Sequence, residues 1–80
     1  MLARKILVLT VDVYTKPNCP PCKLTKKVLT DEGIEYRELP ATEHVDYLVG
    51  LGYSGAPVVV ANPTHHWAGF KPEAIRNLVQ

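Results

Sequence analysis

Residues 6–32 read ILVLTVDVYTKPNCPPCKLTKKVLTDE, and this stretch decides the fold. Ile6 to Tyr14 is apolar and rich in β-branched residues, with no Gly or Pro, the pattern of a strand buried on much of both faces. Leu7, Leu9, Val11 and Val13 share one face; Val8, Thr10, Asp12 and Tyr14 share the other. Thr15-Lys16-Pro17-Asn18 breaks the strand and delivers Cys19 to a helix expected from Pro20 to about Glu32. Leu24, Val28 and Leu29 form its apolar stripe, Lys23, Lys26 and Lys27 a solvated face, and Gly33 stops it. Strand, turn and helix make a βα unit with Cys-Pro-Pro-Cys at its turn.

Outward from this unit, Ile34 to Leu39 alternates apolar residues (Ile34, Tyr36, Leu39) with Glu35, Arg37 and Glu38, which predicts a strand exposed on one face and ended by Pro40. Thr42 is the expected N-cap of a short helix carrying Val45, Leu48 and Val49, stopped at Gly50 or Gly52. Pro57 to Ala61 reads as a buried strand, Asn62-Pro63-Thr64 as turn chemistry, and His65 to Ala68 as a short strand completing a hairpin. Pro72 suits the first turn of a last helix whose Ala74, Ile75, Leu78 and Val79 face the core. The order is β-α-β-α-β-β-α, an α/β fold in one domain spanning 1–80.

With 46% hydrophobic residues and a net charge of +1, the composition is that of a globule and not of a nucleic-acid-binding chain. Charge is asymmetric: residues 1–28 carry six Lys/Arg against Asp12, and residues 29–49 carry six Asp/Glu against Arg37. The dithiol lies in the basic part. Ile6-Leu-Val-Leu is too short to span a membrane and no cleavage site follows it, so a reducing, cytoplasmic compartment is expected. Asn62-Pro63-Thr64 fails as a glycosylation sequon because Pro occupies the middle position.

Two cysteines three residues apart staple little, so the pair reads as reactive. A nucleophilic thiol must ionise near neutral pH, well below its ordinary value of about 8.5. Cys19 gains from the positive end of the helix and its unpartnered N–H groups, and Cys22, one turn on, closes onto the mixed disulfide that Cys19 forms. Cys19 attacks; Cys22 resolves. Pro21 withdraws one amide from the Cys19 sulfur and leaves that of Cys22 as the expected partner, while its effect on Pro20 delays the regular helix to Pro21. Moderate acidification of Cys19 follows. A zinc site completed by His44, His65 or His66 lacks the usual ligand spacing, so these histidines are assigned to the surface and no metal is expected. Asp12, a carboxylate inside an apolar strand, is a candidate proton acceptor for Cys22; its alternative is an ordinary polar contact at a sheet edge.

Tyr14-Thr-Lys-Pro-Asn-Cys19-x-x-Cys22, Gly52-Tyr53, Ala56-Pro-Val-Val-Val60 and His66-Trp-Ala-Gly-Phe-Lys-Pro72, in that order, resemble the NrdH redoxins. These are glutaredoxin-like proteins of the thioredoxin fold, and the resemblance covers roughly residues 11–80. It implies a four-stranded mixed sheet flanked by three helices, with Pro57 in the cis form facing the dithiol and the Ala56 backbone open to a substrate strand. It implies a thiol–disulfide oxidoreductase that binds no cofactor, takes electrons from NADPH through thioredoxin reductase, and reduces the disulfide on the tail of a class Ib ribonucleotide reductase. A monomer suits a carrier that docks two partners in turn.

The chain departs from that pattern in its Pro20-Pro21 pair, in Ala68 where serine is usual, in a shorter stretch between Leu39 and Val45, and in about ten additional leading residues. The competing readings are a glutathione-dependent glutaredoxin, in which Lys16 grips a glutathione carboxylate, and a non-catalytic binding module. Tyr14, Lys16, Ala56, Pro57 and Trp67 are the candidate partner-binding residues. Phe70 is assigned to the core, and for Trp67 and Tyr14 the core is the alternative.

Overall fold

The computed structural model describes residues 10–79. Its elements are β1 (Val11–Thr15), α1 (Pro20–Asp31), β2 (Tyr36–Pro40), a 3₁₀ turn (Ala41–Glu43), α2 (Val45–Gly50), β3 (Val58–Asn62), β4 (His65–Ala68) and α3 (Pro72–Asn77). The sheet runs β2-β1-β3-β4; β1 pairs parallel with β2, and the β1/β3 and β3/β4 pairs are antiparallel. The predicted element order and mixed sheet stand. Residues 6–9 of the predicted first strand lie outside the described residues, Thr10 is not in the strand, and Thr15 extends it.

As a central strand, β1 buries much of both faces, as its apolar pattern predicts, with Asp12 alone partly exposed. Val11 and Val13 join Leu29, Ile34, Val59, Ala61, Trp67 and Ile75 in one cluster, under α1 and α3. Tyr14 joins Val58, Val60 and Leu48 of α2 on the other side. A parallel pair requires a crossover, and α1 supplies it.

The stripe of α1 differs from the predicted one. Cys22, Thr25 and Leu29 are buried with Val28 packed beside them, whereas Leu24 is 47% exposed. The stripe at i, i+3 and i+7 begins at the cysteine, so Leu24 falls off its edge. Gly33 ends the helix as expected: at φ 73 it donates to the Thr30 carbonyl, and Ile34 N–H donates to that of Leu29.

Ile34 therefore belongs to this cap and not to β2, which starts at Tyr36 and includes Pro40, tolerated on an edge strand. Tyr36 packs into the first cluster and Leu39 into the second, three residues apart and hence on opposite faces, so β2 has no single buried face. Thr42 sits in the 3₁₀ turn rather than capping α2, whose N-cap is His44 without a side-chain hydrogen bond. Only Leu48 of α2 is buried; Val45 and Val49 are more than half exposed. Val79 lies past the end of α3 and is exposed. The Asn62 side chain holds the β3–β4 turn, accepting from Thr64 N–H and Oγ1 at 2.9 Å each.

One polar tie joins three elements. Glu38 Oε2 of β2 accepts from Thr15 Oγ1 of β1 at 2.7 Å and from Lys26 Nζ of α1 at 2.9 Å. The Thr15 hydrogen bond, and after it that of Lys26, holds the Glu38 carboxyl below the usual carboxylate range.

Two stability measurements test this packing. Leu29→Ala should cost about 2–5 kcal/mol in urea unfolding, whereas Leu24→Ala should change stability by roughly 0.5 kcal/mol or less. Glu38→Gln should lose about half a kcal/mol or less at pH 7, because both ends of the pair are part-exposed. A carboxylate with a lowered folded pKa stabilises above its ordinary range, so this difference should vanish as pH falls through and below that range. An undiminished difference in acid would assign the loss to packing.

Candidate active site

Cys19 is the N-cap of α1, in extended conformation at φ −124 and ψ 94, and is delivered there by Asn18 at φ 56. Asn enters this left-handed region more readily than most residues. Pro20 and Pro21 fill the first two helical positions and bring no N–H. Helix begins at Pro20 rather than Pro21: the bias against a helical residue before proline yields here to the cap. The first turn is left with the Cys22 N–H, which donates to Cys19 Sγ at 3.2 Å, while Lys23 N–H donates to the Cys19 carbonyl at 3.2 Å. The sulfur occupies the place a capping oxygen takes elsewhere.

Cys19 and Cys22 are joined as a disulfide, their Cα atoms 5.2 Å apart. Both are nearly covered, Cys22 at 2% and Cys19 at 5% exposed. Cys22 shares the inward face of α1 with Thr25 and Leu29, while Cys19 stands ahead of the first turn. That order fits attack by Cys19 and resolution by Cys22.

Two cavities flank the loop between β1 and α1. A cleft of about 480 Å³ is lined by both cysteines, Thr15, Lys16, Lys23, Lys26 and Glu38. A groove of about 240 Å³ runs between α2 and the segment before β3, lined by Ala41, Val45, Leu48, Val49, Tyr53 and Ala56 among others. Exposed Lys16 lines both. Tyr14 pairs with Val58, so Pro57 lies level with Thr15 at the dithiol end of the sheet. Pro57 is buried, the Ala56–Pro57 bond is cis, and the Pro57 carbonyl accepts from Gly69 N–H at 2.8 Å. Among the described residues, no backbone hydrogen bond outside the helices and strands engages Ala56.

Three candidates fall away from this site. Tyr14 is buried, with its ring 5.3 Å from that of His44 and 5.8 Å from that of Tyr47, and desolvation, then Asp12, raises its pKa. Trp67 is 7% exposed in the cluster under α1 and α3, whereas Phe70, assigned to the core from sequence, is half-buried and outside both clusters. Strand alternation turns Trp67 inward and leaves Phe70 past the end of β4. Asp12 points to the face of β1 opposite α1 and is held by two hydrogen bonds of 3.0 Å from Arg37. The sheet separates it from Cys22, so it is not the proton acceptor.

Among the histidines, His66 is held by Tyr53 at 2.7 Å and His65 is exposed. Among the described residues no group of three or more His, Cys, Asp or Glu is placed to hold a metal, and no helix is long and apolar enough to cross a membrane. Sequence reasoning missed Glu38 and Lys26, both read as solvated faces. The signal that finds them is the parallel register of β2 on β1, which brings residue 38 beside the cleft.

Residues 11–66 match the glutaredoxin family. Glutaredoxin-like protein NrdH of Lactococcus lactis subsp. cremoris is 32% identical over 71 residues, 85% of this chain and 97% of that protein. Its namesake in Salmonella typhimurium is 30% identical over 73 residues, 88% and 89% respectively. The glutaredoxin-like protein NrdH-redoxin of Escherichia coli superposes with a TM-score of 0.79 at 28% identity, covering 86% of this chain and 93% of that one. A family match over most of the chain, relatives matched over most of their length and a pair of cysteines at the start of the first helix agree: the chain belongs to the glutaredoxin family, among the NrdH glutaredoxin-like redoxins, and is a thiol–disulfide oxidoreductase of the thioredoxin fold.

Proposed function

We propose that this protein is a dithiol electron donor to a class Ib ribonucleotide reductase and is itself reduced by thioredoxin reductase, with electrons drawn from NADPH. In the reduced state the Cys19 thiolate attacks a disulfide sulfur of the partner's tail, forming a mixed disulfide and releasing one partner thiolate. Cys22, as its thiolate, then attacks Cys19 Sγ, releasing the second partner sulfur and leaving the Cys19–Cys22 disulfide. Thioredoxin reductase supplies the two electrons that reopen it. The redoxin binds no cofactor, acts in the cytoplasm and works as a monomer.

The observation that carries this reading over a glutathione-dependent one is the groove beside the dithiol. Val45, Val49, Ala41 and Ala56 offer an apolar furrow that suits side chains of a protein segment better than a charged tripeptide. The unengaged Ala56 backbone suits the pairing of an extended strand, and Lys16 at the end next to the cysteines suits an acidic neighbour.

Two coupled assays discriminate. NADPH consumption should proceed with thioredoxin reductase and a protein disulfide, and be at least about tenfold slower with glutathione reductase, glutathione and a small mixed disulfide; the reverse ranking makes the protein a glutaredoxin in function. Cys19→Ser should abolish turnover. Val49→Asp should lower kcat/KM for the protein disulfide by roughly fivefold or more while leaving reaction with a small aromatic disulfide unchanged. Because the prolines leave Cys19 a single first-turn amide, its thiol in the reduced protein should be only moderately acidified, and a titration as acidic as that of strongly oxidising dithiols would overturn the argument from the cap.

A further inference from the structure

The cleft beside the disulfide is charged on several sides. Lys16 approaches from the loop, Lys23 and Lys26 from α1, and Glu38 from β2. Lys23 follows Cys19 by four residues and Lys26 follows Cys22 by four, so each cysteine has an ammonium one helical turn on. Among the described residues lining the cleft, Glu38 is the one anion, and it is fixed from two elements. Its Oε2 accepts from Lys26 Nζ at 2.9 Å and from Thr15 Oγ1 at 2.7 Å, and Thr15 is itself buried. The neighbouring Asp12–Arg37 pair is self-neutralising and lies across the sheet from α1.

Reduction of the Cys19–Cys22 disulfide takes up two electrons and one proton and leaves a thiolate at Cys19 and a thiol at Cys22. The reduced form alone carries the new negative charge, so every cation in the cleft favours it and every anion opposes it. We propose that Glu38 is a positioning residue for this reaction: by locking Lys26 to Thr15 across the cleft and placing a carboxylate there, it limits the acidity of the dithiol and keeps the protein a reductant. The inference rests on the oxidoreductase reading of the site. Glu38 is suited to the role because its carboxyl stays ionised well below neutral pH.

The test compares wild type, Glu38→Gln, Lys26→Gln and the double variant. Cys19 acidity is read from the pH dependence of alkylation by iodoacetamide, and the redox equilibrium from the oxidised and reduced fractions in dithiothreitol buffers. Glu38→Gln should lower the Cys19 pKa by roughly half a unit to one unit. It should shift the equilibrium toward reduced protein by about threefold to tenfold, tenfold being about 30 mV. Lys26→Gln should move both quantities the opposite way, and the double variant should lie between the single ones. A merely structural role would lower thermal stability without moving the two variants in opposite directions. Single variants that leave both quantities within twofold of wild type, or shift them in the same direction, overturn the proposal. Wild type that fails to exchange with any protein disulfide overturns the oxidoreductase reading instead, and the alkylation data remain interpretable on their own.

Discussion

A sulfur at the N-cap of α1 organises the active end of the molecule. A helix start presents N–H groups without partners and the positive end of the backbone dipole, and side chains that satisfy them stabilise the helix by about 1 kcal/mol. Here the prolines withdraw two of those donors, and the remaining one is aimed at Cys19 Sγ. Local helix formation and thiol chemistry thus draw on the same amide. A Cys19 thiolate in the same place would give that amide a better acceptor, since a thiolate accepts a hydrogen bond more strongly than a disulfide sulfur.

The rest of the fold is arranged around that point. Parallel pairing of β1 with β2 requires α1 as a crossover, which sets the helix start beyond the end of β1. Antiparallel pairing of β1 with β3 returns Pro57 to the same end, and the 3₁₀ turn and α2 wall the groove between them. The short α2 buries one leucine and leaves two valines outside, an arrangement that adds little to the core and lines the groove with apolar side chains.

Much of this was legible in the residues. Val11 to Tyr14 of the Gly-free apolar run, the Cys-Pro-Pro-Cys turn and the Gly33 stop are local signals, and each appears in the structure close to where periodicity and turn chemistry put it. Local signals do not reach the features that depend on which strand lies beside which. Asp12 looked available to Cys22 because sequence distance hides the sheet between them, and Glu38 looked solvated because its neighbours Thr15 and Lys26 arrive from other elements. Trp67 lies in the core and Phe70 outside both clusters for a related reason: strand alternation past the β3–β4 turn decides which ring turns inward. Leu24 lies off the apolar stripe because that stripe starts at Cys22 and not after the cysteines.

The division of labour between the two sulfurs is the central claim, and covalent trapping tests it most directly. Reduced Cys22→Ser protein mixed with a protein disulfide should accumulate a stable adduct, and peptide mapping by mass spectrometry should place the link at Cys19. Reduced Cys19→Ser protein should form little adduct under the same conditions, because Cys22 is inward-facing and lacks the cap. Adduct formation through Cys22 at a comparable rate would contradict the assignment of Cys19 as the attacking residue.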